Sequence, residues 1–341
     1  MKVSIAMATY NGAQYLQAQL QSFQDQTRKP DELIITDDCS TDETETIVRE
    51  FAKTATFKVE FHRNDENLGY CGNFNAALMK TTGDLVFLSD QDDVWLSKKI
   101  ETVESVFLDN ENIDVVLNDA WITDEFLNKF DETKLQKVRR LQGSDMSFVT
   151  GCCMALRKRF LKTIIPIHLD LKEHDRWIAY VAEVKGSKLI IEERLQYFRR
   201  HGANTSNSVT SQTISSNLWT KIFKIIRNPD SAIVKLKYLK KFIYELERYL
   251  DRTSIPVSEI GERLIEKLYR DLRFVHWRTC VRSAPRYLRL IKVFDEILRK
   301  KYKSDYGFSN ALCDCLATTE KGFDDDCQLV NGVKYGRFKR N

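Results

Sequence analysis

The stretch Phe87-Leu88-Ser89-Asp90-Gln91-Asp92-Asp93-Val94-Trp95 sets three carboxylates within four residues, directly after the apolar run Leu85-Val86-Phe87-Leu88. Like charges this close repel unless something positive neutralises them, so the loop is costly without a cation. The D-x-D spacing lets two side chains project to one side of an extended segment, and carboxylate oxygens suit hard divalent ions such as Mg2+ or Mn2+. Asp90, Asp92 and Asp93 are therefore candidate metal ligands, and the D-Q-D-D string leaves two readings of which acid is the main one. A metal held by a couple of carboxylates completes its shell with phosphate oxygens. Neither a G-x-x-x-x-G-K-[ST] loop nor a G-x-G-x-x-G after a strand is present, so neither P-loop phosphoryl transfer nor a standard dinucleotide site is supported.

The elements that must carry these acids alternate strand and helix. Strands are expected at Val3–Ala8, Glu32–Thr36, Phe57–Phe61, Leu85–Leu88 and Val115–Leu117. Helices are expected at Tyr15–Gln26, from a Ser40 or Thr41 cap to about Ala52, at Gly72–Lys80 and at Lys98–Leu108. Continuous apolar strands in this rhythm predict an α/β domain, a mainly parallel, Rossmann-like sheet with helices on both faces. Such sheets bind ligands at the carboxyl ends of their strands. Thr9-Tyr10-Asn11, Asp37-Asp38 and Asp90 to Asp93 all stand at such ends and point to one crevice.

The chain of 341 residues, 43% hydrophobic, can form one large domain or two ordinary ones. Residues 1–215 hold 26 Lys and Arg against 33 Asp and Glu, a net of −7, whereas residues 216–341 hold 27 against 16, a net of +11. The division predicted is a catalytic domain over 1–215 and a basic α-helical C-terminal region over 216–341, joined by the polar stretch Thr205–Ser216. Helical spacing recurs in Ala232, Leu236, Leu239, Ile243, Leu246 and Leu250, in Ile260, Leu264, Leu268 and Leu272, and in Leu288, Ile291, Phe294 and Ile297. Lysines 235, 237, 240 and 241 and arginines 278, 282, 286 and 289 accompany these stripes, either as solvated faces or as an adhesive for an anionic membrane surface. No nucleic-acid motif accompanies them. The eight scattered cysteines suggest reduced thiols, and Cys313, Cys315 and Cys327 lack a fourth zinc ligand at standard spacing. Neither an apolar run of membrane-spanning length nor a signal peptide opens the chain, so a cytoplasmic protein, peripheral on the inner membrane face at most, is expected.

Segments spread in order along the chain resemble the motifs of family 2 glycosyltransferases with the GT-A fold. They are Ser4-Ile5-Ala6-Met7-Ala8-Thr9-Tyr10-Asn11, then Ile35-Thr36-Asp37-Asp38-Cys39-Ser40-Thr41-Asp42, then Asn67-Leu68-Gly69-Tyr70 with Asn73 and Asn75, then Ser89 to Trp95, and downstream His174-Asp175-Arg176-Trp177 with Tyr197-Phe198-Arg199-Arg200-His201-Gly202-Ala203-Asn204. The resemblance spans about residues 1–207 and departs from the family at Cys39, where glycine is frequent, and at Phe198 in the closing motif.

The resemblance implies inverting transfer of a sugar from a nucleoside diphosphate sugar to a saccharide or lipid-linked saccharide, in cell-surface polysaccharide assembly. It implies Asp92 as the main metal ligand, with Asp93 able to exchange roles with it and Asp90 supporting the ribose or the metal through water, His201 as a metal or diphosphate contact, and Arg199 or Arg200 on phosphate oxygens. Asp38 would take the imide N–H of a uracil or thymine, Tyr10 would stack on the base, and Thr9, Asn11 and Asn73 would line the pocket. Inversion needs one in-line displacement, hence a base and no enzyme nucleophile; the resemblance gives Asp175 that role, while the plainer reading is that His174-Asp175 only caps a helix over Arg176–Glu183, a role compatible with catalysis. Gly151 would allow close approach to the donor sugar. The Ser-Asp-Gln-Asp-Asp-Val-Trp form resembles members assigned to rhamnosyl transfer, so a dTDP-linked donor competes with a UDP-linked one. The alternative in another class is a non-catalytic nucleotide-sugar-binding or membrane-scaffolding protein on the same fold.

Overall fold

Val3–Thr9 (β1), Glu32–Asp37 (β2) and Leu85–Ser89 (β4) are buried at almost every successive residue. Side chains alternate between the two faces of a strand, so both faces of this sheet are covered. The computed structural model describes residues 1–168, 171, 173–202 and 231–283. Between the first strands run α1 (Ala13–Gln24), α2 (Thr44–Ala52), β3 (Lys58–Arg63) and α3 (Gly69–Lys80). After β4 come β5 (Val94–Trp95), α4 (Lys99–Asp109), β6 (Val115–Thr123), β7 (Lys129–Thr133) and α5 (Lys134–Gln142). Then follow β8 (Met154–Arg157), α6 (Lys158–Ile164), α7 (His174–Lys185) and β9 (Lys188–Arg199).

The strand order is β3-β2-β1-β4-β8-β6-β9-β5, with β7 added on β6. The first four strands are parallel, and this is the part that the alternation in the sequence describes. β8 runs antiparallel between β4 and β6, and β5 and β7 are antiparallel to their neighbours, so the whole sheet is mixed. One face of the parallel strands presents Val3, Ile5, Met7, Leu33, Ile35, Leu85 and Phe87 to Leu16, Leu20 and Phe23 of α1 and Val103 and Phe107 of α4. On the sheet, α3 packs against β1 and β2.

Several boundaries differ from expectation. The second helix has Glu43 rather than Ser40 or Thr41 at its N-cap, because Ser40 and Thr41 are spent on the turn before it: the Ser40 hydroxyl donates to Asp37 and accepts the Asn11 N–H, and the Thr41 N–H donates to Asn11 Oδ1. Helix α7 begins at His174, two residues ahead of the expected start, and β6 runs on to Thr123.

Glu32 at the start of β2 is buried at 2% exposure among donors. Burial alone would keep it neutral, but hydrogen bonds from Ser4 Oγ, Thr82 Oγ1 and the Thr82 N–H, with Lys2 nearby, hold its carboxyl down at about 2. A depressed folded pKa gives stability that is complete above the unfolded value near 4.5 and is lost as pH falls toward 2. Glu32→Gln should therefore flatten the acid limb of a melting-temperature profile between about pH 4.5 and 2; an unchanged slope would disprove this account.

The chain separates into two units, Met1–Gln212 with Ser254–Leu264, and Thr213–Thr253 with Ile265–Asn341. In the first, the Ser258 N–H donates to Val184 O, and Gly261 lets the backbone approach so closely that a Cβ there would sit 2.5 Å from that same oxygen. In the second, α8 (Ser231–Thr253) buries Leu236, Leu239, Phe242, Ile243, Leu246 and Leu250, and Ile265 onward of α9 (Glu259–Ser283) buries Leu268, Leu272 and Val275. Lys235 and Lys237 are exposed, whereas Ile260, expected in the apolar stripe, is half exposed. No described helix is long and apolar enough to cross a membrane. The polar joint Thr205–Ser216, the helix expected around 288–297 and Cys313, Cys315 and Cys327 lie outside the described residues.

Candidate active site

The carboxyl ends of β1 and β4 are tied together by Gln91, the middle residue of the D-x-D. Its Oε1 accepts the Tyr10 N–H at 2.9 Å and its Nε2 donates to Tyr10 O at 3.0 Å. Gly12 makes room for this clamp, since a Cβ there would fall 2.2 Å from Gln91 Oε1.

At the end of β2 the acids divide the work. Asp37 is fully buried and holds the turn, accepting from Thr9 Oγ1, Ser40 Oγ and the Ser40 N–H. Asp38 accepts from Asn64 Nδ2 and the Leu68 N–H through Oδ1, while its Oδ2 takes no hydrogen bond from a described residue. Thr9 and Asn73 are buried walls: the Thr9 hydroxyl is given to Asp37, and the Asn73 amide donates to Thr9 O at 3.0 Å and accepts from Asn64 at 3.1 Å. Tyr10 is 52% exposed, which leaves a ring face open for stacking. Asn11 has φ +46° and Cys39 φ +66°, in the left-handed region where glycine is easiest, so a glycine would fit the backbone at Cys39 with less strain. Asn75, by contrast, accepts the Ile167 N–H, away from this group.

After β4 the three acids have unlike surroundings. Asp93 is 1% exposed and both its oxygens are engaged, Oδ2 by Gln196 Nε2 at 2.9 Å and Oδ1 by the Arg199 N–H at 3.2 Å. Burial first, then the Asp92 charge, push its carboxyl up to about 7. Asp90 is pushed well above the carboxylate range by burial and by Asp92, Asp93 and Asp175. Asp92 pairs with His201, Oδ2 to Nε2 at 2.8 Å, and the His201 ring lies 4.5 Å from that of Tyr15. Two adjacent ligands of an octahedral Mg2+ or Mn2+ stand about 3 Å apart, so the Asp92–His201 pair needs little opening to hold such an ion. Asp90, Asp93 and Cys152 also gather within 4.8 Å, but the Cys152 thiol is raised by its hydrogen bond with the free thiol of Cys153 and by burial. A thiol kept protonated suits neither a hard cation nor nucleophilic attack.

The paired arginines separate as well. Arg199 is 6% exposed and turned inward, with Nε on Asp92 O, Nη1 on Glu125 O and its guanidinium 4.7 Å from the Tyr15 ring. Arg200 has Nε and Nη1 buried without a hydrogen-bond partner among the described residues, while Asp92 and Asp93 attract its charge. Unsatisfied guanidinium nitrogens in such a place fit phosphate oxygens.

Asp175 sits in the first turn of α7 with Oδ1 accepting the Arg176 N–H at 2.7 Å. Burial raises its carboxyl, opposed by that hydrogen bond, by Arg176 and by Lys134. Its neighbour His174 stacks on Phe74 at 4.2 Å and is forced down to about 3 by burial, hence neutral, with neither ring nitrogen hydrogen-bonded to a described residue. Gly151 faces this pair, and a Cβ there would lie 3.2 Å from His174 Nε2 and 3.3 Å from Asp175 Cβ. Gly151→Val should displace both side chains and lower turnover at least tenfold with little loss of nucleotide affinity; an equal loss of both would instead place Gly151 against the donor.

Sequence reasoning missed Gln91, Asn64, Gln196, Lys134 and Lys99. The last is fully buried beneath the acids, with Nζ donating to Cys152 O and Gln196 Oε1 and standing 4.0 Å from the Trp95 ring. Burial lowers its ammonium to about 8. Only Gln91 carried a signal, its place inside the D-x-D.

Residues 4–165 match the model of Glycosyl transferase family 2. An uncharacterized glycosyltransferase of Nostoc sp. is 29% identical over 228 residues, 62% of this chain and 69% of that protein. The poly(ribitol-phosphate) β-N-acetylglucosaminyltransferase TarS of Staphylococcus aureus is 33% identical over 120 residues, 34% of this chain and 20% of that protein. The crystal structure of TarS residues 1–349 with UDP-GlcNAc superposes with a TM-score of 0.51 over 92% of this chain and 90% of that one, at 17% identity. Motif order and strand order agree with the match of residues 4–165 to the model of Glycosyl transferase family 2, and the fold is similar to the GT-A fold of TarS.

Proposed function

We propose that this glycosyltransferase moves a sugar, with inversion, from a UDP- or dTDP-linked donor to a hydroxyl of a saccharide or lipid-linked saccharide, with Mg2+ or Mn2+ on Asp92 and His201. The observation that carries the proposal is the Asp92–His201 pair beside a guanidinium, Arg200, whose buried Nε and Nη1 have no hydrogen-bond partner among the described residues. The ion, when bound, neutralises charge on the leaving diphosphate. The chain's own residues do the rest. Arg200 pairs the diphosphate oxygens, Tyr10 stacks on the base and Asp38 Oδ2 accepts its imide N–H. Asp175, made more basic by burial, takes the proton of the attacking hydroxyl. No covalent intermediate is needed, in keeping with the protonated state of Cys152. A dTDP-rhamnose-like donor rests on the Ser89–Trp95 form, and a UDP-linked donor is the one TarS was crystallised with.

Calorimetric titration of UDP, dTDP and GDP, with and without Mn2+, tests the donor side. Manganese-dependent binding of a pyrimidine diphosphate, at least tenfold tighter than GDP, is expected. Preference for GDP would reject the roles of Asp38 and Tyr10, and failure of all three to bind would reject the reading as a whole.

A further inference from the structure

Helix α5 places a lysine where a lysine is least comfortable. Lys134 is the first residue of the helix, after the Thr133 cap, where the helix dipole disfavours a cation. It is nonetheless 3% exposed, with Nζ 4.0 Å from the centre of the Phe198 ring. Lys134 makes no hydrogen bond or ion pair with a described residue. Two further cations, Arg200 and Lys137, stand near enough to repel it, and Arg200 has buried nitrogens that lack a hydrogen-bond partner among the described residues. On the other side Lys134 reaches Asp175 electrostatically, favouring its charged form. A buried ammonium that makes no ion pair or hydrogen bond costs stability unless an anion meets it. Arg200 is drawn to Asp92 and Asp93 on the donor side, whereas Lys134 is drawn to the base that receives the acceptor hydroxyl.

We infer that Lys134 is a specificity-determining residue that binds an anionic group, phosphate ester or carboxylate, carried by the acceptor next to its reacting hydroxyl. This rests on Asp175 being the base of the proposed transfer. A lysine binds phosphate as a point charge, so Arg at this position retains the function and a methionine of similar length removes it.

The test is ligand-observed NMR titration of the full chain with glycerol 3-phosphate, glucose 1-phosphate and glucuronate, against glycerol and glucose, each with and without UDP and Mn2+. At least one anion should bind tenfold or more tightly than its neutral counterpart, and which one does so distinguishes a polyol phosphate, a sugar phosphate and a uronic acid. Lys134→Met should remove that preference at unchanged UDP affinity, and Lys134→Arg should keep it. Anions that bind no better than neutral compounds, or a preference that survives in Lys134→Met, would overturn the inference, as would loss of UDP affinity in a Lys134→Met protein that melts like the wild type. Failure of the wild type to bind UDP or any other nucleotide would instead count against the donor reading, leaving the anion titrations without nucleotide to decide on Lys134.

Discussion

An Asp175→Asn variant is expected to bind nucleotide within about twofold of the wild type and to transfer sugar about 10²–10⁴-fold more slowly. The side chain sits in the first turn of α7, and amide and carboxylate are close in shape, so the N–H of Arg176 keeps an oxygen acceptor. What is lost is a proton acceptor. Burial raises the carboxyl of Asp175, and the same burial makes it a stronger base than an exposed aspartate once ionised. Turnover should therefore rise with pH as this carboxyl ionises and then level off, and the variant should lack that rise. A variant that still turns over within tenfold of the wild type would remove Asp175 from the chemistry and leave it a residue of the helix start. Loss of nucleotide binding in the same variant would move it to the donor side.

Much of this site is legible in the sequence, for a physical reason. Parallel strands covered on both faces read as unbroken apolar runs, so β1, β2 and β4 declare themselves, and the polar residues that end them must share one edge of the sheet. Other strands are silent. β8 has only four residues, and β9 is interrupted by the exposed Glu192, Glu193 and Arg194, with register shifts against β6. Yet β9 supplies Gln196 and Arg199, which take both oxygens of Asp93 from more than a hundred positions away. No local pattern could tell Asp92 from Asp93, or Arg199 from Arg200, because each pair is alike in type and adjacent in sequence; burial and distant partners separate them. Lys134 is hidden for a similar reason. In Lys-Leu-Gln-Lys-Val-Arg-Arg it reads as one more charge on a solvated helix, and only the fold turns it inward beside Phe198.

Asp92→Asn should abolish the manganese-dependent part of nucleotide binding, a loss on the order of 100-fold or more, since a charged ligand and the partner of His201 go together. The same substitution should have an opposite effect on stability in the absence of divalent ions. Asp93 is held up at about 7, partly by the Asp92 charge, and Asp90 is raised by it too. A carboxyl whose folded pKa exceeds its unfolded value near 3.8 favours folding only while protonated, so that contribution fades as pH climbs from about 4 through 7. Removing the Asp92 charge lowers both raised values and lessens the penalty. Without metal, Asp92→Asn should thus melt higher than the wild type at pH 8, with the difference shrinking at pH 5. Added Mn2+ should reverse the order at pH 8, because it stabilises the wild type by neutralising the acids and finds little to bind in the variant. Thermal melts of both proteins at the two pH values, with Mn2+ and with a chelator, decide the matter. Equal manganese shifts in the two proteins would show that Asp92 holds no metal and would turn attention to Asp90 and Asp93.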